Sequence, residues 1–317
     1  MSMLHSYASA FAIAAITIAG FSTANAADRL DERMAPNAVS GNISVWGAGV
    51  IPSGYQNEDE DTCDPTDDGI DEFCESDFGF GSDARVHYDF GNGYAVQLET
   101  LLDYHLELDD DGDDERHAIH GAVAGHLIHR SGEIALGAFA GLTGTAHLDD
   151  DDRSVHGLIG AEAAMFSGAN TFFGQVGLAT PITREDAVDN LFFGRAGMRH
   201  FLSPNRRLEG AVAVGYSDDS DPGLDETEDL LWWQFTANYE QKFDDNPFSW
   251  FVGYQGDYLD NDLPEIDADE SVWVHTVLAG FRMTFGETDT LQQQDNYGAR
   301  TFDLTNLRAP LSYPDEL

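Results

Sequence analysis

Between residues 42 and 285 the sequence alternates on two scales, and that pattern limits what it can fold into. On the small scale, side chains repeat with a period of two over twelve segments, from Asn42–Ile51 to Ser271–Phe285, which is the signature of β-strands. On the larger scale, the connectors alternate between short and long. Five are tight turns: 91–93, 131–132, 167–170, 203–205 and 244–247, rich in Gly, Asn, Asp, Ser and Pro. The six between them, 52–81, 107–115, 146–154, 181–190, 217–229 and 259–270, are longer. Strands joined in this way run up and down, with all tight turns at one end and all long loops at the other.

Charge follows the same division. The formal net charge is −43, and 38 of the 58 Asp and Glu residues lie in the six long connectors, whereas the five turns hold only Asp244 and Asp245. Two ends so different imply two different aqueous sides. A field of this sign argues against nucleic acid as a partner and against direct contact with anionic headgroups.

The faces of the strands specify the arrangement further. In Ser271–Phe285, Trp273, Val277, Phe281 and Phe285 share one face, while Val274, Thr276, Gly280 and Arg282 share the other. Upstream, Trp233 and Tyr239 oppose Gln234 and Glu240, and Phe248, Trp250, Tyr254 and Tyr258 oppose Ser249 and Asp257. An apolar face with aromatic residues towards both ends suits a sheet closed on itself in a bilayer: apolar out to lipid, polar in to the lumen, aromatic girdles at the interfaces. A secreted acidic β-sandwich is the alternative. It accounts for the period of two but not for the acidic character of every second loop.

The first 26 residues read as a secretory signal. Ala10–Gly20 is a short apolar run, and Ala24-Asn25-Ala26 is an A-x-A cleavage site, although the amino-terminal region lacks Lys and Arg. The sequence therefore divides into a signal peptide (1–26), a periplasmic leader (27–40), a barrel (41–285) and a tail (286–317). The tail has no sustained period. It is expected to be a periplasmic extension, with folding back into the lumen as the other possibility.

The span 41–285 resembles Gram-negative outer-membrane β-barrels of the porin-like, twelve-stranded kind. In that family the last strand carries an assembly signal of a polar residue, Gly two positions later, and apolar residues ending in Phe. Gly280, Met283 and Phe285 match it, while Leu278 stands at the polar position and residues 286–317 follow the signal. The resemblance implies an all-β, antiparallel up-and-down transmembrane barrel in the bacterial outer membrane. Its partners would be membrane lipid and, through the last strand, the barrel assembly machinery. The implied function is a passive channel for small hydrophilic solutes or cations. A structural barrel with a closed lumen comes second, and an outer-membrane lipid hydrolase a distant third. No G-x-S-x-G elbow or Ser–His spacing supports the hydrolase, so no enzymatic activity is expected.

Parity sets the strand register. If the inward sets of the second and third strands are both odd-numbered, facing residues sum to an even number. The turn at 91–93 pairs Phe90 with Tyr94 and so places Arg85 opposite Glu99. The turn at 203–205 pairs Leu202 with Arg206 and places Arg199 opposite Glu209. Glu162, Arg195, Glu240, Lys242 and Arg282 also face inward, as do His87, His105, His120, His126 and His156. These residues either line a charged pore or neutralise one another in a packed lumen.

Two expectations fall on the first long connector. Cys63 and Cys74, close together in an exported chain, favour a local disulfide over a thiolate metal site. Asp64, Asp68 and Glu75 fall near the spacing of a calcium loop, with Thr66 at the second acidic position. No other cofactor is expected.

Overall fold

The computed structural model describes residues 38–53, 77–106, 117–147, 153–183, 190–220, 227–262, 270–286, 290–299 and 303–312. Twelve strands form one closed antiparallel barrel: β1 (Val39–Ser53), β2 (Asp77–Asp89), β3 (Tyr94–Leu106), β4 (His117–Ser131), β5 (Ile134–His147), β6 (Arg153–Ser167), β7 (Asn170–Pro181), β8 (Leu191–Ser203), β9 (Arg206–Ser220), β10 (Thr227–Lys242), β11 (Phe248–Asp262) and β12 (Glu270–Phe285). Each strand pairs with its sequence neighbours, and β1 closes the ring on β12 over thirteen residue pairs, from Gly41–Phe285 to Ser53–Trp273. Closure leaves no strand edge with unpaired backbone groups, which a sheet in hydrocarbon requires.

The strands run from 12 to 16 residues, longer than the period of two alone indicates. A tilted crossing needs about 9–11 residues, so the sheet continues past the bilayer. The tight turns have local causes. Asn92 Oδ1 accepts from Tyr94 N–H at 3.1 Å and Asn246 Oδ1 from Phe248 N–H at 3.0 Å, so each side chain takes the place of a backbone acceptor.

The two faces separate cleanly. Ile159, Val176, Phe192 and Phe281 point outward, each about 60% exposed, while Asn42, Glu99, Arg199 and Asp257 point inward and are almost fully covered. Apolar outside and polar inside is the order of a barrel in lipid. Aromatic contacts brace the outer face, with Tyr239 on Trp250 at 5.3 Å and Tyr258 on Trp273 at 5.0 Å between ring centroids.

Phe90 N–H donates to Tyr94 O at 2.9 Å, and Arg85 faces Glu99. At the β8–β9 turn Arg199 faces Glu209, but a bulge intervenes: Ser203, not Leu202, pairs with Arg206, and the regular register resumes at Phe201–Arg207. The leader to residue 37, Cys63, Cys74, Asp64, Asp68, Glu75 and the acidic run 107–115 lie outside the described residues.

The segment after β12 departs from the expected periplasmic extension. Gly286 adopts φ 102°, and a Cβ there would lie 2.6 Å from Ser40 Cα, so glycine alone lets the chain reverse against β1. Among the segment's residues described beyond it, helix α1 (Leu291–Tyr297) is followed by residues 303–307 within the lumen and by helix α2 (Arg308–Ser312). The physical reason is that it carries the groups the lumen lacks: carboxylates for inward arginines, and leucines for an apolar wall.

The occupied lumen as the candidate functional site

The lumen is built in three levels, each formed by inward side chains of the wall and by one part of the inner segment. At the end with the tight turns, α1 covers the mouth. Thr290 and Gln293 form a capping box, Thr290 Oγ1 accepting from Gln293 N–H at 3.1 Å and Gln293 Oε1 from Thr290 N–H at 3.3 Å. The helix is pinned to two turns: Gln292 N–H donates to Pro204 O at 3.1 Å, and its side chain to Gly168 O at 2.8 Å. The Tyr297 ring lies 4.6 Å from the Arg130 guanidinium.

The second level is a belt of charge. Arg85 Nε donates to Glu99 Oε1 at 2.8 Å, and the same guanidinium meets Asp83 at 3.1 Å. Arg199 Nε donates to Glu209 Oε2 at 3.0 Å. Glu240 accepts from Arg207 at 3.3 Å, Arg282 at 2.8 Å and Ser249 at 2.6 Å. Glu162 accepts from Gln175 at 3.2 Å and lies 3.0 Å from His126 Nδ1.

The inner segment completes this belt. Asp295 of α1 accepts from Arg199 at 2.9 Å and from Thr171 at 2.6 Å. Asp303 lies where three arginines converge. Its carboxylate is 2.7 Å from Arg199 and 3.3 Å from Arg85, and its carbonyl accepts from Arg195 at 3.3 Å. The backbone N–H of Leu304 donates to Glu99 at 2.9 Å. A charge inside a barrel of low polarity is tolerable only when paired, and here the wall and the segment pair each other.

The third level, towards the long loops, is apolar. Inward Val50, Leu158, Leu191, Trp232, Leu259 and Val274 form a chamber with Leu307, Ala309 and Leu311 of the segment, and Leu304 packs on its edge. Polar groups ring the chamber. Asp257 accepts from Trp232 Nε1 at 3.0 Å and from Gln234 at 2.9 Å, while Gln234 also donates to Asn306 O at 3.1 Å. Arg308 Nη1 lies 2.6 Å from His105 Nε2, whose ring is 3.0 Å from Asp103.

Eight of the charged residues placed inward by parity, namely Arg85, Glu99, Glu162, Arg195, Arg199, Glu209, Glu240 and Arg282, belong to the belt. The inward histidines are distributed over separate sites. His126 joins Glu162, His105 joins Asp103 and Arg308, and His120 faces Thr143 at 2.9 Å. Among the described residues no group of three or more His, Cys, Asp or Glu is arranged to hold a metal ion. The sequence reading missed Asp295, Asp303 and the apolar chamber. Inward parity for Leu191, Trp232 and Leu259, together with the run of leucines at 304, 307 and 311, was the available signal.

No family model matches the sequence, and no curated protein does. The fold is similar to solved structures. An outer membrane channel from Pseudomonas putida F1 aligns over 82% of this chain and 100% of its own, with TM-score 0.52 and 13% identity. The translocator domain of the autotransporter NalP from Neisseria meningitidis aligns over 89% and 96%, with TM-score 0.44 and 9% identity. The Pseudomonas putida toluene transporter TodX aligns over 79% and 90%, with TM-score 0.44 and 6% identity.

Proposed function

We propose that this chain is a porin-like channel of the bacterial outer membrane, held shut at rest by the segment that follows β12. The observation that carries the reading is how the segment is held. Among the described residues no strand of the wall forms a ladder with it. Ion pairs, isolated hydrogen bonds and apolar packing retain it, and all can be exchanged for solute and water without opening the ring. The likeness to an outer membrane channel at the level of fold supports the same reading. Catalysis has no part in it.

The sequence suggests small hydrophilic solutes or cations, gathered by acidic loops. The polar belt suits hydrophilic solutes, but its converging Arg85, Arg195 and Arg199 do not favour cations, and the apolar chamber suits neither. From the sequence we also retain a Cys63–Cys74 disulfide and a calcium site at Asp64, Asp68 and Glu75 as proposals for the first long connector.

The test is single-channel recording in planar bilayers with the full chain. The wild type is expected to conduct weakly and rarely. Asp295→Asn combined with Asp303→Asn removes both carboxylates that the segment offers to Arg199, and should raise open time by about ten-fold or more, equivalent to roughly 1.4 kcal/mol. If both proteins are silent, the barrel is structural. That second reading has its own support in Leu307 and Leu311, each only 1% exposed and packed against the wall.

A further inference from the structure

We infer that the lumen is a binding site for small amphipathic carboxylates, molecules with one anionic end and an apolar body, and that the inner segment occupies it as a built-in substitute. This deepens the channel reading, on which only its role in traffic depends.

The argument rests on what the segment places where. Asp303 presents a carboxylate to Arg85 and Arg199, with Arg195 on its carbonyl. The next residue, Leu304, is at the edge of the apolar chamber, and Leu307 and Leu311 fill it. Read along the lumen, the segment is an acid group followed by hydrocarbon, and the wall is complementary to both. Guanidiniums prefer carboxylates because their paired donors match two oxygens. A chamber lined by Leu191, Trp232 and Leu259 gains from any apolar body that displaces water from it.

The two halves discriminate together. A short polar acid such as acetate would satisfy the arginines and leave the chamber unfilled. A neutral alcohol of the same length would fill the chamber and leave a guanidinium without the carboxylate Asp303 now supplies. A cation would meet Arg85, Arg195 and Arg199. The acidic outer loops oppose the arrival of an anion, but at physiological salt their field is screened within ~8 Å. Capture should therefore quicken as ionic strength rises.

The test uses the full chain in lipid nanodiscs, with empty nanodiscs subtracted, and three probes: octanoate, acetate and 1-octanol. In Asp303→Ala/Leu307→Ala/Leu311→Ala the segment no longer competes for either half. Octanoate should bind this variant at least about ten-fold more tightly than either other probe. Adding Arg199→Gln should remove the preference over octanol. Equal binding of octanoate and octanol would overturn carboxylate recognition, and equal binding of octanoate and acetate would overturn the chamber. Either result sinks the inference.

If the variant does not fold, the wild type provides a second readout. Octanoate should accelerate backbone hydrogen exchange across residues 303–312 in a saturable way, and acetate and octanol should not. Exchange unaffected by octanoate, or accelerated equally by octanol, rejects the proposal. No current is measured in either experiment, so a non-conducting protein that still selects octanoate refutes the channel and leaves the site.

Discussion

Arg199→Ala is expected to be the most damaging single charge deletion in the lumen. Arg199 is fully buried, and its guanidinium meets Glu209 at 3.0 Å, Asp295 at 2.9 Å and Asp303 at 2.7 Å while lying 4.5 Å over the Phe173 ring. Its loss takes from Glu209, Asp295 and Asp303 the guanidinium they share, leaving Arg207 on Glu209 at 3.1 Å and Arg85 on Asp303 at 3.3 Å. Removing one partner of a buried pair typically costs about 3–5 kcal/mol, and here the remaining charges also repel. The strain is relieved by expelling the segment, so the expected phenotype is double: a lower unfolding midpoint in urea, and protease cleavage within 290–312 in protein whose barrel is still closed. Arg195→Ala is the control. Arg195 reaches Glu209 only at 3.6 Å and Asp303 only through its carbonyl, so its loss should cost less than half as much. Equal effects of the two substitutions would show that Arg199 is not the hub.

Gly280→Val is expected to prevent closure of the ring. Gly280 sits on β12 opposite Trp46 of β1, at the seam that turns a sheet into a barrel. A Cβ there would overlap the Val45 carbonyl oxygen and lie 2.7 Å from Phe251 Cζ and 2.8 Å from Trp46 Cβ. The first of these is backbone held in a ladder, so neither strand can give way without loss of hydrogen bonds. Overpacking usually costs about 1–3 kcal/mol; displacing the closing strand adds the exposure of backbone groups to lipid. Folded barrels resist unheated SDS, and the variant should lack the fast-migrating band. Gly49→Ala, where nothing lies within 4 Å of the new Cβ, should retain it. Gly280 also belongs to the motif that resembles an assembly signal, so refolding into pure lipid separates the two roles. Failure without any assembly machinery is steric; failure only in cells is a matter of recognition.

The wall was legible in the sequence because a period of two is an absolute constraint: slipping by one residue would turn Arg85 to lipid and Val86 inward. That is why Arg85–Glu99 and Arg199–Glu209 could be paired from turn length alone, and why the bulge at Leu202 did not matter beyond the turn. The contents were not legible, because no period governs a segment held by side-chain contacts rather than by a strand ladder. Asp303 has no pattern of its own and is defined by three arginines on two distant strands, Arg85 on β2 and Arg195 and Arg199 on β8. Trp232 carries no distinct signal beside Trp233, since an inward tryptophan has no evident place in a polar lumen until leucines meet it. The leucines at 304, 307 and 311 were an apolar run without a partner, and the partner was the barrel's own interior.

The reversal at Gly286 also has a mechanical consequence. The inner segment joins the wall at the tight-turn mouth, and its three anchors are stacked along the barrel axis in chain order: α1 at the rim, Asp295 and Asp303 in the belt, leucines farthest in. A pull from that mouth loads these anchors one after another, like a cord drawn from a sleeve. The ladder between β1 and β12 runs alongside the pull with thirteen residue pairs loaded together. Contacts loaded in series yield at much lower force than contacts loaded in parallel. A pull from that mouth can therefore draw the contents out while the container holds, and Gly286 sets where the segment leaves the wall.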